Sequence, residues 1–143
     1  MTMSGTGLNQ ENIEGLVVSP SGARVIPASG WPYDFEELSA NTLKPDGIVY
    51  PGEAYPAAVA VSGRRSNLLA TGLFATRGPD ILVDPIGGTT PIFEATTYSS
   101  GETHSIAPHG LALSANGKAL FAAHFSDVYE DETWLSVFEV PAG

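Results

Sequence analysis

The sequence predicts an all-β protein that is built from repeated antiparallel sheets. Three observations favour this fold class: a short segment recurs three times, apolar runs alternate with turn residues, and the 16 glycines and 11 prolines are spread along the chain. Such a pattern is typical of many short strands joined by turns, and the apolar runs are too short for helices. The 143 residues are enough for one domain with a buried core.

The recurring segment aligns without gaps at residues 15–28, 58–71 and 110–123. Each copy opens with an apolar triplet before a serine, and a second apolar run begins shortly after that serine. The copies recur at intervals of about 40 to 50 residues, which is typical of four-stranded β-propeller blades. The sequence therefore predicts an incomplete ring of about three blades in a single partial propeller domain. The predicted blades span approximately residues 12–55, 56–104 and 105–143.

Each copy is predicted to form a hairpin. Ser21-Gly22 and Asn116-Gly117 are turn sequences whose glycine can adopt a positive φ. Small apolar residues such as Ala60 and Ala112 lie between larger ones, which predicts sheets that are buried on both faces and stacked closely on their neighbours. Pro27 falls within a predicted strand and is compatible with it only at a bulge or at a sheet edge.

Further strands are predicted after the hairpins. They cover residues 35–38 and 47–50 in the first unit, 80–84 and 91–98 in the second, and 133–140 in the third. The third unit has no predicted fourth strand of its own. The stretch before Asn12 is a candidate to supply it, by the strand exchange with which propellers close.

The composition restricts the classes of partner. The formal net charge of −10 arises from 16 acidic and 6 basic residues, so phosphate backbones are repelled and no nucleic-acid partner is predicted. The charge is interpreted as a contribution to solubility or salt adaptation, with a cationic ligand or Ca²⁺ as the alternative. The absence of cysteine excludes disulfides and thiolate metal sites.

No signal peptide, transmembrane segment or membrane partner is predicted from the sequence. The compartment stays open: the chain is interpreted as cytoplasmic or as a fragment of a secreted protein.

The third unit carries a resemblance to a known family. Residues 108–125 begin with Pro-His before the first strand, continue through the turn Ser114-Ala-Asn-Gly117, and end the second strand with Ala122-Ala-His124. This segment resembles a YVTN-type blade of the lactonase-like propeller family, in which an S-P-D-G-like turn and a V-A-N-like end occupy these places. The resemblance implies a seven-bladed ring and, in some members, chemistry on sugar and muconate lactones. Three units depart from that complete ring.

Four residues are candidate ligand-binding residues. His109 directly precedes the innermost strand of the third unit, where an imidazole facing the central channel could polarise a carbonyl or bind a carboxylate. His124 ends the following strand, and Arg65 and Arg77 could receive an acidic ligand. The structural alternatives stay open: histidines hydrogen-bonded within the fold, and arginines that are simply exposed.

An acidic loop follows the second strand of the third unit. Asp127, Glu130 and Asp131 form a candidate Ca²⁺ site because Ca²⁺ prefers oxygen ligands, with a solvated turn as the alternative. The three histidines lack the spacing of a transition-metal site, so no such site is predicted. No nucleophile elbow, P-loop or dinucleotide-binding glycine motif occurs, so no cofactor is predicted and catalytic residues are not identified.

The sequence favours a binding or assembly module over an enzyme. Three stacked blades would leave two apolar sheet faces uncovered, so the ring is expected to be completed by self-association, as a homodimer or another homo-oligomer, or by the remaining blades of a larger propeller. The alternative is part of a lactonase-like enzyme that takes a small acidic or lactone ligand, and a β-sandwich is a third possibility. The segment 31–33, Trp-Pro-Tyr, is singled out as an aromatic loop for which exposure is expected.

Overall fold

The computed structural model describes residues 11–51, 55–74, 78–97, 104–126 and 132–142. These ranges form β strands in three antiparallel sheets and contain no helix, so none that could span a bilayer. The first sheet contains β1 (Glu11–Val18), β2 (Arg24–Trp31), β3 (Phe35–Ser39) and β4 (Pro45–Tyr50). The second contains β5 (Tyr55–Val61), β6 (Leu68–Phe74), β7 (Ile81–Pro85) and β8 (Phe93–Ala95). The third contains β9 (His104–Leu113), β10 (Ala119–Ser126) and β11 (Thr133–Glu139).

In each sheet, strands that are consecutive in sequence are neighbours. The prediction of an all-β fold with about three propeller blades is confirmed. The proposed fourth strand of the third sheet, from the stretch before Asn12, falls on residues 1–10 and lies outside the described residues.

The repeated serine closes the first hairpin of every sheet. Its hydroxyl oxygen accepts a hydrogen bond from the backbone N–H of the residue that opens the next strand. The donors are Arg24 for Ser19 at 3.0 Å, Leu68 for Ser62 at 2.8 Å and Ala119 for Ser114 at 2.9 Å. The turn glycines Gly22 and Gly117 have the expected positive φ, at 77° and 71°. The repeat in the sequence therefore encodes the same serine contact three times, with a second hairpin whose turn is one residue longer than the other two.

Pro27 lies within β2, opposite Leu16 of β1. On its other side β2 pairs with β3 only through Arg24 and Val25. The next backbone hydrogen bond on that side is from the Ser29 N–H to the Asp34 carbonyl oxygen at 3.3 Å. Pro27 therefore lies in a gap between these contacts, where its missing N–H leaves no paired carbonyl unmatched.

The second sheet lies between the other two. Its innermost strand, β5, packs against both β1 and β9. One core between the first and second sheets includes Ile26, Phe35 and Leu69, and another between the second and third includes Ile81 and Leu120. The second sheet is thus buried on both faces in β5, β6 and β7, as the small and large apolar residues predicted. By contrast, β1 of the first sheet and β10 and β11 of the third expose large apolar side chains on one face.

Polar contacts also join the sheets. The buried carboxylate of Glu37 in β3 accepts hydrogen bonds from the Tyr50 hydroxyl and from the backbone N–H of Gly87 at 2.9 Å, in the turn after β7. Arg24 pairs with the same carboxylate at 3.3 Å. Because a buried charge is costly without partners, these contacts stabilise Glu37 and connect the first sheet to the second.

Candidate functional site

A cavity of about 320 Å³ opens between the first and second sheets. It lies where β1 and β5 begin and where β2 and β6 end, and Pro108 of β9 closes one side. We call it the interblade cavity. Its described lining is Asn12, Glu14, Gly30, Tyr33, Tyr55, Pro56, Ala57, Phe74 and Pro108. The size is in the range of small-molecule sites, which are typically concave and mostly apolar.

Aromatic rings form much of its wall. The rings of Tyr33 and Tyr55 meet edge to face, with centroids 4.8 Å apart and an interplanar angle of 89°. Trp31 meets Tyr33 in the same manner at 5.6 Å and 87°. A side-chain hydrogen bond with Tyr55 raises the pKa of Tyr33, so the Tyr33 phenol is neutral at physiological pH. Phe74 is paired with Tyr55 across β5 and β6.

The backbone around the cavity is held in an uncommon conformation. Asn12 and Tyr33 have φ angles of 52° and 70°, and His109, next to the lining residue Pro108, has 59°. A bulky residue rarely adopts positive φ, and such a conformation costs on the order of 1–3 kcal/mol. Residues held in this way are concentrated at ligand clamps and active sites, which marks this end of the blades as a candidate site.

The charge of the described lining comes from Glu14 of β1. Asp34 directly follows Tyr33, and partial burial raises the pKa of its carboxyl group. The chain as a whole carries a net charge of −10. The electrostatic character of the interblade cavity is therefore suited to a positive group rather than to an anion.

His109 lies against an inner strand of another sheet. Its imidazole is exposed, and its Nδ1 would be 3.3 Å from a Cβ placed on Gly15 of β1, so the ring reaches across β5 towards the first sheet. Any residue larger than glycine at Gly15 would press on this ring. The imidazole is accessible beside the innermost strands, which leaves it able to contact a ligand.

His124 is in a different environment. It is buried on β10, its ring stacks on Trp134 with a centroid distance of 5.7 Å, and its Nε2 lies 2.8 Å from the Ser136 hydroxyl oxygen. Burial raises the pKa of Asp80 in the second sheet, and this effect is opposed by hydrogen bonds from Thr97 and by the nearby His124. These contacts give His124 a packing role between the second and third sheets.

Arg65 is exposed in the turn between β5 and β6, and Ser66 beside it donates a hydrogen bond to the carbonyl oxygen of Ala115 at 3.1 Å. His109 lies several residues before Ala115, which corresponds to roughly 20 Å along an extended strand. The structure therefore does not bring Arg65 and His109 together.

The other predicted ligands, Arg77 and the Ca²⁺ candidates Asp127, Glu130 and Asp131, lie outside the described residues. Within the described ranges, no group of three or more His, Asp or Glu side chains could hold a metal ion.

Sequence reasoning missed most of the interblade cavity. It singled out segment 31–33, of which Tyr33 lines the cavity and Trp31 adjoins it, but not Glu14, Tyr55 or Phe74. The available signal was the aromatic residue that begins β5 and the one that ends β6. Neither can be assigned to a cavity without knowing that the two strands meet the first sheet at this end.

The outer faces of the first and third sheets are a second surface feature. On β1, Leu16 and Val18 are exposed on the side opposite Val17, which packs into the core with the second sheet. On the third sheet, the register places Phe121 opposite Val137, and Leu135 is two residues away on the same face. All three are exposed. Each end of the stack therefore presents apolar side chains.

No family model matches the chain, and no curated protein matches it. Among solved structures, the chain is similar to hydrazine synthase from Kuenenia stuttgartiensis, with 20% sequence identity and a TM-score of 0.66. The match covers 97% of this chain and 36% of that chain, so the chain spans about a third of the length of its structural neighbour. Similarity at this identity shows the fold alone: an all-β chain of stacked, open antiparallel sheets.

Proposed function

We propose that the three blades are a binding and assembly module whose two outer faces pack against further blades. A second copy of the chain is the simplest source of these blades, and additional polypeptide is the other. The first sheet of one copy would meet the third sheet of its partner, and the same contact would form a second time. Two such heterologous contacts close a six-bladed ring with twofold symmetry.

One observation carries the proposal: the exposed residues occupy repeat positions that are buried in the other sheets. Leu16 is 60% exposed, but its equivalents Val59 and Leu111 are each 8% exposed. Phe121 is 39% exposed, whereas Ile26 and Ala70, which the strand pairing places at the same position of the other two sheets, are fully buried. The apolar residue at each position is suited to a blade that is covered on both faces. Leu16 and Phe121 are exposed because no further sheet packs on the outer faces of this chain.

The hydrophobic effect favours covering these outer faces. Burial of a large apolar side chain contributes about 1.5–3 kcal/mol relative to exposure. Leu135 and Val137, which are 70% and 60% exposed, add to Phe121 on the third sheet. Covering both faces would therefore favour association strongly enough to offset part of the entropy that association costs.

The test is the solution mass of the chain by light scattering over a range of concentrations. We expect a dimer for the wild type, a monomer for Leu135→Glu, and a dimer for the control Leu135→Met, which retains the apolar surface. Circular dichroism checks that each variant is folded.

A monomeric wild type would overturn self-association. In that case, packing against additional polypeptide would remain supported only if the protein binds a dye that recognises apolar surfaces and Leu135→Glu reduces that binding. A monomer whose dye binding is unchanged by Leu135→Glu would contradict the proposal as a whole, as would a dimer that Leu135→Glu leaves intact.

A second candidate function is part of a lactonase-like propeller enzyme. The exposed imidazole of His109, held at positive φ beside the inner strands, favours it. The test is lactone hydrolysis by the wild type and by His109→Asn, because asparagine tolerates positive φ better than most residues. Activity that the variant loses supports this function, and a wild type without hydrolysis contradicts it.

A further inference from the structure

We propose that the interblade cavity binds a small organic cation, of the class that carries a trimethylammonium or other methylated ammonium group. This site is separate from the outer faces through which the blades are proposed to assemble. Three features of the cavity support a cation: the geometry of the aromatic rings, the acidic residue Glu14 and the small number of polar side chains in the lining.

The ring geometry provides aromatic surface in more than one orientation. Tyr33 and Tyr55 are nearly perpendicular, and Phe74 forms a further part of the same lining. A ligand that touches both tyrosines therefore meets rings from two directions, as in an aromatic cage. A cation within about 6 Å of a ring centroid is attracted by the ring quadrupole, with about 0.5–2 kcal/mol for each well-placed ring.

The carboxylate of Glu14 decides the sign of the charge. Glu14 is an exposed residue of the same lining as the aromatic residues, so its carboxylate can offset the charge of a bound cation without occupying the place of the rings. An anionic ligand would meet this carboxylate and the negative faces of the rings together. The cavity therefore favours a cation over the acidic ligand that the sequence alone suggested.

The sparse polar lining separates a cation from a sugar. A sugar stacks flat on one ring and needs several hydrogen-bond partners around its edge. Five residues of the described lining have no polar side chain: Gly30, Pro56, Ala57, Phe74 and Pro108. The polar side chains are limited to Asn12, Glu14 and the two tyrosines. A quaternary ammonium group needs no hydrogen-bond partner, and its methyl groups pack well against such a surface.

The cavity is also largely preformed. The positive φ of Tyr33 and Asn12 and the edge-to-face contacts of Trp31, Tyr33 and Tyr55 hold the wall in place. A preformed wall reduces the ordering that a ligand must impose, which improves affinity for a small molecule.

The test is calorimetric titration of the folded chain with choline, with 3,3-dimethyl-1-butanol as the neutral control of the same shape. We expect choline to bind with a Kd of about 1 mM or tighter and the neutral compound to bind at least about 10-fold more weakly. Glucose should show no binding. Equal affinity for choline and its neutral analogue, or binding of glucose in preference to choline, would overturn the proposal.

Variants assign the binding to this cavity. Tyr55→Leu removes the ring and should weaken choline binding about 10-fold, whereas Tyr55→Phe retains the ring and should bind choline within about 3-fold of the wild type. Glu14→Gln should weaken choline binding, and added salt should then have a smaller effect on the affinity. Choline binding that is unchanged in Tyr55→Leu would place the ligand elsewhere and contradict the assignment.

Discussion

Gly117, in the turn between β9 and β10, lies so close to Ser66, in the turn between β5 and β6, that a Cβ on the glycine would be 2.8 Å from the Ser66 Cβ. The same two turns are joined by a hydrogen bond from the Gly63 N–H to the Ala115 carbonyl oxygen at 2.9 Å. Glycine at position 117 therefore meets two demands, a positive φ within its own turn and close approach to the neighbouring sheet.

The first prediction separates these two demands. Gly117→Ala should lower the free energy of unfolding more than Gly22→Ala, because Gly22 has a similar φ but no atom within 4 Å of its would-be Cβ. The strain common to both should be about 1 kcal/mol, and the clash at Gly117 should add about 1–3 kcal/mol. Urea unfolding of both variants measures the difference. Equal losses would show that the two turns move apart without cost.

The second prediction concerns the repeated serine. Ser62→Ala should lower the free energy of unfolding by about 1–2 kcal/mol, because the Leu68 N–H then loses the hydroxyl that accepts its hydrogen bond at 2.8 Å. Thr42→Ala is the control, since the Thr42 hydroxyl lies in an exposed turn and accepts only a long hydrogen bond, at 3.4 Å, from the Lys44 N–H. Chemical unfolding of the pair measures the effect. A loss at Ser62 no larger than that at Thr42 would contradict the hairpin-closing role.

The third prediction concerns pH. Asp84 in β7 is fully buried, and neither of its carboxylate oxygens has a hydrogen-bond partner in the described structure. Burial and, to a smaller extent, the charge of Glu94 together raise the pKa of Asp84 to about 6. Because the folded state then holds the proton more tightly than the unfolded chain, the free energy of unfolding should fall as the pH rises from about 4 to about 6.

Asp84→Asn removes this titration. The variant should show a flatter pH dependence over that interval, and it should be more stable than the wild type near pH 7, where the wild-type carboxylate is charged and buried. Urea midpoints measured across the interval test both expectations. The same slope in the variant and the wild type would assign the pH dependence to other groups.

The hairpins could be predicted from the sequence because their determinants are local. A serine, a turn glycine and two apolar runs lie within one short segment, so each copy specifies its own geometry. Leu16 shows where local information ends. Its apolar character predicts burial, and its equivalents are buried, but the exposure of Leu16 depends on which neighbours are present and not on its own segment.

The interblade cavity could not be predicted because it has no local signature. Glu14, Tyr33, Tyr55 and Phe74 come from separate parts of the chain and meet only when two sheets stack. The burial of Asp84 is equally hidden, since an aspartate at the end of a strand ordinarily indicates a solvated turn. Both features arise from contacts between sheets. The pattern of apolar residues predicts that the sheets pack together, but it does not show which residues of two sheets come into contact.

Because the second sheet is packed between the other two, the free energy needed to expose backbone amides to solvent should differ between the strands. The amides of β6, in the middle of that sheet, can reach solvent only when both neighbouring sheets have separated from it, whereas those of β11 lie at an edge with one face in water. Hydrogen exchange in β6 is therefore tied to global unfolding, and exchange in β11 to local fraying that costs much less free energy. Among the described strands, the slowest exchange is therefore expected in β6, which contributes to neither outer face.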